Sequence, residues 1–186
     1  MQNETGTTLT GETPTTTPSR QVEGGSSRLR WAMAAIAVIG LIADQASKVW
    51  ALSALADGHR VPVVGDLLSL RLIRNSGAAF SLGNEVTWVM TALAVLITLG
   101  IIWAARKLTH PAWAIALGLI LGGSLGNLID RFFREPGPGR GHVVDFIDYA
   151  GYFVGNVADI WIVVGAVLVV ALMIKDVPLG GPKGEQ

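Results

Sequence analysis

Cysteine is absent from this chain of 186 residues, which excludes disulfides, thiol nucleophiles and cysteine-ligated zinc. The three histidines, His59, His110 and His142, stand too far apart in sequence to read as a metal-ligand cluster. No metal or organic cofactor is therefore expected. Charge is scarce as well: 15% of residues are charged, the formal net charge is zero, and no basic tract points to nucleic acid. What remains is apolar. A hydrophobic fraction of 51% and a mean hydropathy of +0.49 do not describe a surface that faces water on all sides.

The apolar residues are unevenly spread. Besides Met1, residues 1–27 carry only Leu9 and Val22 as larger apolar side chains, too few to offset the entropy of ordering, and a disordered tail is expected there. Four hydrophobic runs follow, Trp31–Leu55, Val86–Ala105, Ala112–Ile129 and Val157–Ile174, each near the roughly 20 residues that cross a hydrocarbon core. Arg28 and Arg30 before the first run, and Ala54-Leu55-Ala56 at its end, also fit a secretory signal peptide. Asp44, Gln45 and Lys48 interrupt the run and argue against that. Asp44 and Lys48 stand four apart, on one helix face, where they can pair; the bland version is a salt bridge that lets Lys48 snorkel to the interface. Trp31, Trp50, Trp88, Trp103 and Trp113 near run ends fit interfacial belts.

Four spans put both termini on one side. Seven Lys/Arg then lie with the termini and the 106–111 link, against six in the two opposite loops. The counts hardly differ, and what assigns the termini to the cytoplasm is that Arg28, Arg30, Arg106, Lys107 and Lys175 abut helix ends. The expected organisation is an all-α integral membrane protein: a cytoplasmic tail over 1–27, a four-helix domain over 28–176 with a small extracytoplasmic β-sheet and loop cap, and a short cytoplasmic tail over 177–186.

The unusual sequence lies in the two outer loops. Val61-Pro62-Val63-Val64 and Leu67–Ile73 are short β-prone pieces split by Gly65-Asp66, and predict a small sheet on the membrane surface. In Arg74-Asn75-Ser76-Gly77-Ala78-Ala79-Phe80, Asn75 and Gly77 suit a tight turn and the small residues admit a second backbone; a plain turn before the second span explains them equally well. In the third run Gly118, Gly122 and Gly126 repeat every four residues, with Gly123 and Ser124 beside them, as a stripe for close helix packing in lipid. The stripe leads to Asn127, Asp130 and Arg131, an amide, a carboxylate and a guanidinium at one helix end. A network anchoring the outer loop accounts for these three as readily as a site does.

Two hydrolytic readings compete for this face. Gly122-Gly123-Ser124-Leu125-Gly126 matches G-x-S-x-G, with His142 as a base, but that motif acts on a strand-to-helix elbow; inside an apolar helix the packing stripe explains it better. The other reading is a pair of carboxylates at membrane depth, where ionisable groups are functional candidates by default. One holds a proton while the other acts as general base on water, which hydrolyses a peptide without serine, cysteine or metal. Asp130 adjoins Arg131, whose charge suits it to anchoring. Asp145 is set among Val143, Val144, Phe146 and Ile147, and Asp159 stands between Ala158 and Ile160 at the mouth of the fourth helix, where desolvation disfavours charge. Asp145 with Asp159 is the expected pair. From other classes come a small transporter, with Asp44, Lys48 and Asp159 as a proton relay, and a non-catalytic membrane scaffold.

Taken in order, Asp44-Gln45-Ala46-Ser47-Lys48, the 74–80 segment, Gly122–Arg131, Val143-Val144-Asp145-Phe146 and Asn156-Val157-Ala158-Asp159 resemble the motifs of bacterial lipoprotein signal peptidase, signal peptidase II, over about Trp31–Ile174. The resemblance implies an inner-membrane aspartyl endopeptidase with four helices, both termini cytoplasmic, an outward-facing site and no cofactor. It implies prolipoprotein substrates, cut on the N-terminal side of a lipobox cysteine that already carries diacylglyceryl, with membrane lipid as surroundings and the cyclic peptide antibiotic globomycin as inhibitor. By that likeness Asp145 and Asp159 match the catalytic pair. Asn75, Asn127, Arg131 and Asn156 match polar residues around substrate and dyad, Asp44 and Lys48 the first-helix motif, and Asp130 a supporting aspartate; Gly77, Gly123 and Ala158 belong to the same motifs. One position departs: the family usually has Phe where this chain has Gly155, with Tyr152 and Phe153 slightly earlier. Either the wall beside Asp159 is loosened or a neighbouring ring replaces the missing one.

Overall fold

The computed structural model describes residues 21–77 and 87–181. Residues 1–20 of the tail expected over 1–27, Ala78-Ala79-Phe80 of the turn motif and residues 182–186 lie outside the described residues. Four helices, α1 Gln21–Ala54, α2 Thr87–Ala104, α3 Pro111–Phe133 and α4 Val157–Ile174, are long and apolar enough to cross a bilayer. Local chemistry sets their ends. α3 starts with Pro111, whose missing N–H costs nothing in a first turn, and His110 caps it by accepting the Ala112 N–H. α1 runs back to Gln21, so residues 21–27, read from composition as tail, are helical: extending a formed helix adds a hydrogen bond per residue, and only nucleation is costly.

α3 is the centre of the bundle. Of its span 61% is buried, against 17–28% for the other three. Since lipid is as apolar as a leucine face, close packing and hydrogen bonds must hold the helices together. The glycine stripe supplies the first. A Cβ on Gly122 would stand 2.7 Å from the Ala37 carbonyl oxygen in α1, and one on Gly123 would stand 2.5 Å from the Ala158 carbonyl oxygen in α4. The stripe therefore faces α1, and Gly123, one residue round, seats α4.

Of the tryptophans expected at interfaces, Trp31, Trp50, Trp88 and Trp103 are exposed, but Trp113 is buried. Its Nε1 donates to the Val177 carbonyl at 3.0 Å, docking the segment after α4 onto the start of α3.

The cap is a four-stranded antiparallel sheet in the order β1-β2-β3-β4: β1 Val61–Val64, β2 Leu68–Asn75, β3 Val143–Tyr149 and β4 Phe153–Gly155. The first two strands are those the sequence predicts. The other two carry no alternation to announce them, because six of the seven residues of β3 are buried or nearly so on both faces and the period-two signal vanishes. Phe146 of β3 packs with Ala51 and Leu55 at the end of α1. The β2–β3 register pairs Ile73 with Asp145 and Asn75 with Val143, and β3 pairs Ile147 with Gly155 of β4. That register brings Asn75, Asp145 and Asn156 to the mouth of the bundle.

Candidate active site

Asp159 is held by the way α4 begins. Asn156 is the N-cap: its side-chain oxygen accepts the Asp159 N–H at 3.1 Å, while Asp159 Oδ2 accepts the Asn156 N–H at 3.0 Å. This reciprocal capping box satisfies two orphan donors and locks the carboxylate in the first turn. The Asn156 amide is then free to donate to Asp145 Oδ1 at 2.6 Å, and Asn75 Nδ2 donates to the other oxygen of Asp145 at 2.8 Å. Asn127 Nδ2 reaches Asp159 Oδ1 at 3.1 Å. Both carboxylates line one cleft of about 230 Å³ with Asn75, Asn127, Arg131 and Phe153.

Burial pushes the Asp145 carboxyl up to about 6, the negative charge of Asp159 adds to the rise, and the Asn75 and Asn156 hydrogen bonds hold it down. Asp145 is 2% exposed whereas Asp159 is half-buried. The sequence points to desolvation at Asp159; in the fold it falls more heavily on Asp145, because β3 is covered on both faces.

Beside the cleft lies a second carboxylate cluster. Lys48 does not snorkel. It is fully buried, with Nζ 2.8 Å from Asp44 Oδ2, 2.8 Å from Asp130 Oδ2 and 3.0 Å from Asn127 Oδ1. Asp44 Oδ1 accepts the Ala158 N–H at 3.0 Å, tying α1 to the first turn of α4. Asp130 also takes Arg134 Nε at 2.5 Å and the Val144 N–H at 3.1 Å. Its close ion pairs are thus with Lys48 and Arg134, while the adjacent Arg131 acts on it through its charge without pairing. Arg131 instead donates through Nη1 to the carbonyls of Asn75 at 3.1 Å and Gly141 at 3.0 Å, joining the end of β2 to the segment between α3 and β3. Asn127 is the hinge between clusters: its oxygen is taken by Lys48 and Asn156, which turns its NH₂ toward Asp159.

The small residues of the motifs have steric reasons. Gly77 has φ +82°, and a Cβ there would stand 3.0 Å from Arg131 Nη2, so the turn presenting Asn75 needs glycine twice over. Gly126 faces the Asp44 carboxylate. At Gly155 a Cβ would meet Asp159 Oδ2 and Phe153 Cε1, each at 2.7 Å. The Phe153 ring, stacked on Tyr149 with centroids 5.9 Å apart, already fills the space beside Asp159, so a neighbouring ring replaces the missing one. An apolar groove of about 300 Å³ runs from Asp159 past Tyr149, Phe153, Ile160 and Val163. Ser124 is buried inside α3 and makes no elbow. Of what sequence reading left aside, the capping box was legible as N-x-x-D before an apolar run; the individual role of Gln45, which donates to the Gly126 carbonyl at 3.0 Å, was not, since the sequence marks it only as a member of the first-helix motif.

A family model described as signal peptidase (SPase) II matches residues 36–175. The lipoprotein signal peptidase of Mycobacterium avium is 50% identical over 147 residues, 79% of this chain and 80% of that protein. That of Rhodococcus jostii is 47% identical over 150 residues, 80% of this chain and 76% of that protein. Among solved structures, a bacterial membrane enzyme determined by the in meso method at 2.3 Å superimposes with a TM-score of 0.66 at 28% identity, covering 83% of this chain and 94% of that one.

Proposed function

The chain belongs to the signal peptidase II family, the lipoprotein signal peptidases, and from that premise we propose that Asp145 and Asp159 are the pair with which it cuts its substrates. It is a membrane aspartic endopeptidase that removes signal peptides from prolipoproteins. The observation that carries the assignment is the Asn156 bridge: one residue donates to Asp145 and caps Asp159, setting the two carboxyls on one cleft.

Asp145, with its carboxyl raised by burial, holds the shared proton and donates it to the scissile carbonyl oxygen. Asp159 lies at the positive end of the α4 dipole, which favours a negative charge there, and takes a proton from the attacking water. The tetrahedral diol forms as the water oxygen bonds to carbon. It collapses when Asp159 returns its proton to the leaving nitrogen and the diol returns one to Asp145, restoring both groups. Asn75 and Asn127 hold the carboxyl oxygens while Arg131 fixes the cleft wall. Asp44, Lys48 and Asp130 keep Asn127 oriented; Gly77, Gly123 and Ala158 allow the approaches this requires.

The finer substrate chemistry follows the same reading. The cut falls N-terminal to a diacylglyceryl-modified cysteine, whose acyl chains lie toward lipid along the apolar groove beside Phe153. Globomycin occupies the cleft. The termini are cytoplasmic, and the sheet and cleft face outward from the inner membrane; residues 28–176 form the peptidase unit between two tails.

The test is cleavage of a purified lipidated precursor by the wild type, Asp145→Asn and Asp159→Asn, with and without globomycin. The wild type should cut and be inhibited, and both variants should leave the precursor intact. Normal processing by either variant overturns the assignment. A transporter would show ion-coupled uptake without proteolysis, and a scaffold neither.

A further inference from the structure

α1 and α2 both lean on α3 and make little contact with each other. At the end of the bundle away from the sheet this leaves a groove of about 320 Å³. Its walls are Met33 and Ala34 of α1, and Ile102 of α2 with Ala105 just past its end, with Leu121 of α3 as floor. Arg30 and Arg106, on opposite walls, complete it. Both arginines are exposed, and among the described residues no carboxylate pairs with either. Arg60 and Arg134, by contrast, each have a carboxylate partner. Trp31, beside Arg30, and Trp103, three residues before Arg106, are 74% and 60% exposed, side chains that favour the headgroup level. Lys107 lies over the Trp103 ring, 4.9 Å from its centroid, adding a third cation on this side.

An apolar trough open to lipid takes an acyl chain. Two unpaired guanidiniums across its mouth select what the chain is attached to, since planar forks bind phosphate oxygens in bidentate fashion. A zwitterionic headgroup brings its own cation to that place and gains less. We propose that this groove binds an anionic phospholipid, with the phosphate between Arg30 and Arg106 and one acyl chain along Met33, Ile102 and Leu121. The site lies in the opposite leaflet from the Asp145/Asp159 cleft and does not rest on the catalytic assignment. Basic residues near a membrane surface each add a modest attraction, so a preference of about tenfold for anionic over zwitterionic lipid is expected.

The full-length protein in detergent, titrated with phosphatidylglycerol or with phosphatidylcholine and read by native mass spectrometry, tests this. The wild type should bind phosphatidylglycerol about tenfold more tightly. The Arg30→Gln/Arg106→Gln variant should bind the two lipids equally, and Arg30→Lys/Arg106→Lys should keep most of the preference. Excess inorganic phosphate should not displace the lipid, which separates a lipid site from a free-anion site. Precursor cleavage in phosphatidylcholine vesicles should be unchanged in both variants, reporting that they are folded. Equal affinities in the wild type, an undiminished preference in Arg30→Gln/Arg106→Gln, or displacement by phosphate would each overturn the proposal.

Discussion

Two pairs of carboxylates flank Asn127, and they differ in what surrounds them. Asp44 and Asp130 sit against Lys48 and Arg134, two anions balanced by two cations. Asp145 and Asp159 sit among the amides of Asn75, Asn127 and Asn156; among the described residues no close ion pair reaches either, and the Lys48 and Arg131 charges act on Asp145 only from farther off. A cation fixes a carboxylate as an anion and makes it an anchor. An amide fixes where an oxygen lies without fixing its charge, and leaves a proton free to come and go. The first cluster holds three helices together; the second is left open to chemistry.

The contrast predicts opposite responses to substitution. Asp145→Asn should lower cleavage by at least about a thousandfold with little loss of thermal stability, measured on the purified protein in one detergent. Lys48→Met should do the reverse in kind. It leaves Asp44 and Asp130 without their shared cation, a change that costs about 3–5 kcal/mol, read as a lowered unfolding midpoint. Adding Asp44→Asn to Lys48→Met should recover part of that loss. Full stability in Lys48→Met would erase the distinction between the clusters.

Smaller effects sharpen it. Gly123→Ala drives a methyl against the Ala158 carbonyl oxygen and should cost about 1–3 kcal/mol, with cleavage falling because Asp159 rides on the displaced α4. Asn75→Ala removes a donor that favours the charged form of Asp145, so its carboxyl should rise further. The alkaline limb of kcat/KM on a lipidated precursor should then move to higher pH by up to about one unit.

The four spans, β1 and β2, and the Gly118/Gly122/Gly126 stripe are legible in the sequence because each is a matter of period; Asp145 and Asp159, singled out by their apolar neighbours, do line one cleft. Partners chosen through space were not. Lys48 reaches Asp130 and Asn127 across the α1–α3 contact, and nothing in the chain between them marks that meeting; the adjacent Arg131 acts on Asp130 by its charge but leaves the close pairing to Lys48 and Arg134. Burial on both faces hid β3, and with it the reason Asp145 is the more desolvated of the pair. Trp113 looked interfacial from its place at a helix end and is instead claimed by Val177. At Gly155 the motif looked damaged, yet the ring two residues earlier fills the space.

The chemistry proposed for the cleft turns on the proton of Asp145. Its ordinary value is 3.8 and its value in the fold is about 6, so the folded state binds the proton more tightly. The stability this contributes, on the order of 3 kcal/mol, is complete below about pH 4 and lost as pH rises through about 6. Infrared titration of the full-length protein in bilayers, following the C=O stretch of protonated carboxyls, measures that proton directly. A band that disappears in the wild type as pH rises through about 6, and that is absent from Asp145→Asn, is the predicted result. The same band surviving unchanged in Asp145→Asn would contradict it.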